Sequence, residues 1–288
     1  MAVLSLTANP SRTGGGLLAA ALAAMLAGCG VDSPEPASGH RCPQRIVSLD
    51  FCADQYVLKF VERDRILALS PDAEREFSYM RDEAAGLPSV RPVAEDVIIL
   101  KPDLVVRTYG GGPGAATMFR RAGVPVHNVG WAEDIEAVGE VVLETARALG
   151  SAQQGLAVVS EIQDRLAALP SPEPGVEGLY MTPSGVTSGP GSLVHEIIVA
   201  AGLENFQTRP GWRPIPLERL VYEQPDFILP AFFDSLTNHP HAWSPMRHPV
   251  ASSRLQAGEL IPIEGAWTAC GAWFLMDAVE TLAAAAAR

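Results

Sequence analysis

"AEDVIILKPDLVV", residues 94–106, and "LERLVYEQPDFIL", residues 217–229, are nearly the same phrase written twice. Each opens as a short helical turn, breaks at a Pro-Asp pair and continues as an apolar run of strand type. Aligned on the prolines, Glu95 matches Glu218, Pro102 matches Pro225 and Asp103 matches Asp226. Glu95 and Glu218 stand 123 residues apart, whereas solenoid repeats have periods of about 20–50 residues. A period this long points to two similar lobes rather than a stacked array.

The sequence around the first phrase alternates strand and helix. "QRIVSLD" (44–50) reads as a buried strand ending at Asp50, a good N-cap for the helix "FCADQYVLKFVE" (51–62). "DRILALS" (64–70), "DLVVRT" (103–108) and "VPVHNVG" (124–130) read as further strands, with the helix "ATMFRRAG" (116–123) between the last two. Such alternation predicts a parallel sheet. A second alternating block follows the same plan. It has a strand "GLYMTP" (178–183), a helix "SLVHEIIVAAGLEN" (192–205), the repeat strand "DFILP" (226–230), a strand "ELIPI" (259–263) and a closing helix from Thr268. Between the blocks, Asp134 to Leu169 reads as one amphipathic helix, with Ile135, Val138, Val142, Ala146 and Leu149 at helical spacing. Unbroken, it would be roughly 54 Å long and could bridge two lobes. The expected division is a segment 1–28, a tether 29–44, an α/β lobe 45–130, a linking helix 131–170 and a second α/β lobe 171–288.

The chain has 288 residues, 48% of them hydrophobic and 19% charged, enough to bury a core in one large or two modest domains. A net charge of −12 argues against a nucleic-acid partner, which would call for a basic stripe. Residues 1–28 hold one charge, Arg12, and the apolar run Leu17–Ala27. That run is too short for a permanent bilayer span and has the form of a secretory signal peptide. It ends in "LAGC" (26–29), the form of a bacterial lipoprotein box, so cleavage before Cys29 would leave that cysteine for lipidation. An ordinary signal peptide cut nearby is the alternative, and either one places the protein in the periplasm or cell envelope. Cys42, Cys52 and Cys270 remain, an odd number, so one thiol stays free or pairs between chains. Export permits a disulfide. Cys52 with Cys270 is the preferred pair because both follow a helix-start signal, although connectivity is not fixed by sequence.

"RIVSLDFCADQYVL", "EDVIILKPDLVV", "AGVPVHNVG", "GSLVHEIIVAAGLEN", "LERLVYEQPDFIL" and "IPIEGAWTACGAWFLMDAVETLA" follow one another over residues 45–285. Together they resemble the periplasmic substrate-binding proteins of ABC importers for iron-siderophore complexes and cobalamin. The resemblance implies an α/β fold of two Rossmann-like lobes joined by a single long α-helix, acting as a monomer. It also implies a metal chelate in the cleft between the lobes, no cofactor of the protein's own, and delivery to a permease in the inner membrane. In that family an acidic residue on each lobe docks into arginine pockets of the two permease subunits, and Glu95 and Glu218 match those positions. The repeated phrase would then present one carboxylate from each lobe to one half of a two-fold transporter. Helix-start glutamates favoured by the helix dipole are the plainer reading, and the two are compatible.

Ligands of open α/β sheets sit beyond the carboxyl ends of the strands. Those stretches offer Phe77, Tyr79, Tyr109 and Trp131 in the first lobe, and Tyr180, Met181, Ser184, Trp212, Arg213, Phe232, Phe233 and Trp267 in the second. Aromatic residues at loop tips suit a large, flat chelate, because they give apolar stacking and a polar tip at low entropic cost. Haem is an alternative ligand. So is direct zinc or manganese capture, for which His239, His241 and His248 lie close together and the first lobe offers only His127 near a strand end. Solvated loop histidines are the plainer account, and the expected metal site is none. An enzyme is not expected. "HEIIV" at His195 lacks the second histidine of a zinc protease, no glycine-flanked nucleophilic serine is present, and no glycine loop ends in Gly-Lys-Ser/Thr.

Overall fold

The computed structural model describes residues 42–170, 174–232 and 248–287. The signal segment, most of the tether with Cys29, and Phe233, His239 and His241 lie outside the described residues.

The first lobe is a parallel sheet in the order β2-β1-β3-β4, formed by Ile46–Ser48 (β1), Ile66–Ala68 (β2), Leu104–Arg107 (β3) and Val126–Asn128 (β4). The helices Phe51–Phe60 (α1), Ala94–Ile99 (α3) and Ala115–Arg121 (α4) connect them, and Arg81–Ala84 (α2) adds one further turn. The second lobe has Glu177–Met181 (β5) and Phe227–Phe232 (β9) at its centre, paired in parallel, with Glu204–Asn205 (β7) beside β5. The expected strand 259–263 is two short ones, Glu259–Leu260 and Ile263–Glu264, both pairing with β9 on either side of Ile261-Pro262. The closing helix expected from Thr268 begins at Leu275 and runs to Ala286, after a separate turn at Gly265–Thr268.

The repeated phrase does the same work in both lobes. The Asp103 carboxylate accepts the backbone N–H groups of Gln44 and Arg45 at 2.7 and 2.8 Å, where the chain enters β1. The Asp226 carboxylate accepts the Glu177 N–H at 2.7 Å, at the start of β5. Each proline stands three residues past the end of a short helix, and the aspartate after it ties down the neighbouring strand.

The segment 134–169 is not one helix. Ile135–Ala148 (α5) and Ala152–Ala167 (α6) fold back on each other, so that Gly155 lies against Ala146 and Gly139 against Val159. The break is a Schellman motif. Gly150 has φ +83, its N–H donates to Arg147 O, and the Ser151 N–H donates to Ala146 O. Arg65 Nη2 donates to Leu149 O and Ser151 Oγ to Phe60 O, which fasten the turn to the first lobe. The link between lobes is therefore α6 alone, about 24 Å long. It starts beside Lys59, whose carbonyl accepts from Gln154, and ends with Arg165 paired to Asp277 and Glu280 of the closing helix.

Side-chain packing also joins the lobes. One apolar cluster runs without interruption from Ile46, Tyr56 and Phe60 through Val142 and Ile162 to Trp273, Phe274 and Leu282. Trp273 packs edge-on against Tyr56 and Phe60, at centroid distances of 5.6 and 5.9 Å. Tyr79 stacks on Phe274 at 4.4 Å and donates to Asp277 at 2.7 Å.

Candidate functional site

A cleft of about 290 Å³ opens between the lobes. The first lobe contributes Cys52 and Tyr56 of α1, Thr108 after β3, and Val129–Glu133 after β4. The second contributes Gly191–Val194, Trp212 and Thr268–Gly271.

The floor is tied across. Cys52 and Cys270 form a disulfide, and Tyr56 Oη donates to Gly271 O at 2.7 Å. Gly271 sits where a Cβ would meet Leu193 of the second lobe at 3.3 Å and Ala132 of the first at 3.5 Å. Cys42 is the free, exposed cysteine among the described residues.

Trp131 and Trp212 face the cleft from separate lobes and remain 79% and 55% exposed. Trp131 follows Gly130, where a Cβ would come within 2.9 Å of a Val141 methyl of α5, so any other residue would have to push the turn or that side chain aside. Trp212 is held by an antiparallel pair the sequence did not reveal, Val186–Ser188 (β6) with Trp212–Pro214 (β8). Beneath it Tyr180 stands edge-on at 6.2 Å.

Other candidates lie elsewhere. Met181 is fully buried with Phe206, Ile215 and Leu220; successive strand residues point to opposite faces, so Tyr180 and Met181 serve different cores. Tyr79 belongs to the contact between the lobes described above. Trp267 is half-buried against the main core. Arg213 turns back to donate to Pro210 O, and Ser184 pairs with Thr182 within a turn. Phe77 packs on Phe51 at 4.8 Å, and exposed Tyr109 also meets Phe51, at 6.3 Å. Phe232 is the last residue of β9.

Two loops at the carboxyl ends of first-lobe strands, of which the one after β3 reaches the cleft through Thr108, are anchored by buried polar groups that sequence reasoning assigned only to capping or missed. The Asp50 carboxylate caps α1 through Ala53 N–H and also accepts the N–H groups of Thr108, Tyr109 and Gly110 at 2.8–3.0 Å. Gly110 packs so closely on Leu49 that a Cβ would lie 2.3 Å from its carbonyl oxygen. Asp54 accepts from Ser70 N and Oγ, while Gln55 reaches Ser78 Oγ and Met80 N; between them they fix the loop after β2. The signal for these residues was a helix N-terminus following a strand, with polar residues on its inward face.

Glu133 is the one carboxylate among the described wall residues, which include no Lys, Arg or His. The Thr108 hydroxyl is buried with no hydrogen-bond partner among the described residues. His127 is half-buried on β4, with Nε2 3.1 Å from Thr145 Oγ1, and burial lowers its pKa. His248 caps the helix Pro249–Ala257. Among the described residues no group of three or more His, Cys, Asp or Glu is placed to hold a metal ion.

Glu95 and Glu218 are both exposed and hold the same place, the second residue of a six-residue helix, in α3 and in Leu217–Tyr222 (α8).

Parallel sheets in two lobes around a shared cleft define a class of proteins that hold small solutes, and the chain belongs to the periplasmic binding protein family, whose model matches residues 62–231. Among curated proteins it is 27% identical over 202 residues to a cobalamin-binding protein of Halobacterium salinarum, covering 65% of this chain and 53% of that one. The chain thus spans about half the length of the curated relatives it matches. Among solved structures, a periplasmic haem-binding protein, HutB of Vibrio cholerae, shares the fold with a TM-score of 0.70 at 18% identity, over 84% of this chain and 98% of that one. The vitamin B12-binding protein BtuF of Vibrio cholerae gives 0.62 at 17% identity, over 84% and 96%.

Proposed function

We propose that the protein is the solute-binding component of an ABC importer. It captures a metal chelate of the cobalamin or iron-siderophore class in the cleft and delivers it to a permease in the inner membrane. The observation that carries this reading is the pair of exposed tryptophans, Trp131 and Trp212, lining one cleft from two lobes. Indole faces supply apolar contact to a broad ligand.

The charge of the described wall residues supports cobalamin over haem. Haem carries two carboxylates, which would meet Glu133 and no cation among the described wall residues, while the peripheral amides of cobalamin are neutral. The curated cobalamin-binding relative supports the same choice. The role is capture and release rather than catalysis. Export by the signal segment, with lipidation at Cys29, would place the protein at the outer face of that membrane. Glu95 and Glu218 are the docking carboxylates of the two lobes.

Tryptophan fluorescence of the purified protein, corrected for inner-filter absorption, tests the ligand class. Titrants are cyanocobalamin, hemin and ferric siderophores, with zinc and manganese as controls. Saturable quenching by cyanocobalamin or a ferric siderophore is expected. A response to hemin alone or to bare metal would overturn the assignment.

A further inference from the structure

Three large apolar side chains among the described residues are more than three-quarters exposed: Tyr222 at 88%, Trp131 at 79% and Ile99 at 76%. Trp131 lines the cleft. The other two sit at matching positions of the repeated phrase, each three residues before its proline and four after its glutamate. A spacing of four puts Glu95 with Ile99, and Glu218 with Tyr222, on one face of each helix. The opposite faces are packed, through Ala94 and Val97 in α3 and Leu220 in α8.

Charge separates the same pairs from their neighbours. Asp96 is taken up by Arg91 at 2.7 Å, and Glu223 by Arg219 at 2.5 Å. Glu95 and Glu218 have no ion-pair partner among the described residues. Each lobe therefore presents one unpaired carboxylate with a bare apolar side chain one turn along.

Resting on the docking reading above, we infer that Ile99 and Tyr222 are matched apolar anchors. Each seats in a socket beside the cation that receives its glutamate, on one of two like subunits of a membrane-embedded partner. A single exposed hydrophobe is ordinary; one at the matching place in each lobe, beside an unpaired carboxylate, fits a partner that is itself two-fold. Anchors of this kind carry much of an interface's binding energy when they fill a pocket, and the unpaired carboxylate supplies the complementary charge.

The test replaces Ile99, Tyr222 or the control Leu156, which is 49% exposed on α6, with p-benzoylphenylalanine in the full chain. The variants are irradiated in the host cells and the adducts identified by mass spectrometry. The expected result is the same integral membrane protein attached from positions 99 and 222 and absent from 156. Adducts to a second copy of this chain, different proteins from the two positions, or no adduct beyond the control would overturn the inference. Uptake of labelled cyanocobalamin by cells carrying Glu95→Arg with Glu218→Arg is measured in parallel. Uptake lost there with adducts missing removes the anchors and leaves the docking reading. Uptake retained there with adducts missing removes both.

Discussion

Cys52 of the first lobe and Cys270 of the second are joined by a disulfide across the floor of the cleft, with their Cα atoms 5.6 Å apart and a sequence separation of 218. A cross-link closing so long a loop restricts the unfolded chain strongly, and such bonds typically contribute about 2–4 kcal/mol. Cys52→Ser with Cys270→Ser should lower stability by that order in chemical denaturation. The fold should survive, because Tyr56, Trp273 and Phe274 still hold the same contact. An unchanged denaturation midpoint would show that the bridge constrains little.

Burial pushes the Asp54 carboxyl up to about 6 from its ordinary 3.8, and hydrogen bonds from Ser70 offset only part of that. Between roughly pH 4 and pH 6 the folded protein keeps a proton that the unfolded chain gives up. Stability linked to this group is therefore greatest at the acid end and falls as pH rises through 6, by about 3 kcal/mol in full. Asp54→Asn should abolish that slope. The check is the difference in denaturation free energy between wild type and variant at pH 4 and pH 7; equal differences at the two would refute the assignment.

Four backbone N–H groups converge on the Asp50 carboxylate. Asp50→Ala would remove that acceptor and leave the Ala53 and Gly110 amides buried without one, and each such loss costs about 1–3 kcal/mol. We expect a destabilisation of at least about 3 kcal/mol, together with faster hydrogen exchange at Thr108, Tyr109 and Gly110. Protection retained at those three amides would mean that the loop holds itself in place.

Trp131→Ala removes an exposed ring and should shift stability by no more than about 0.5 kcal/mol, whereas Trp212→Ala also loses the edge-on contact with Tyr180 and should cost about 0.5–1.5 kcal/mol. If the cleft is the binding site, each variant should weaken cyanocobalamin binding at least tenfold in calorimetric titration. Full affinity in both would move the site away from this cleft.

Much of this architecture was legible because it is periodic. Strand and helix patterning gave the two sheets, and the Pro-Asp repeat gave the correspondence between lobes. The 134–169 segment was misread because its apolar spacing continues across Gly150, and only a left-handed residue followed by a 6→1 hydrogen bond marks the turn. In the site, Trp131 and Trp212 stood out as large aromatics beyond strand ends. Tyr180 and Met181 were misplaced because both side chains are taken up by the two cores on either face of β5, and nothing local in the strand shows that neither lines the cleft. Thr108 and Gly191–Leu193 went unnoticed because their contribution comes from position and backbone, which residue type does not advertise.

The continuity of the core from α1 to the closing helix bears on how the molecule comes apart. Trp273 and Phe274 are shared property: neither lobe can melt without exposing them. Heating should therefore give one cooperative endotherm rather than a step for each lobe, and a ligand spanning both walls would raise that single transition as a whole.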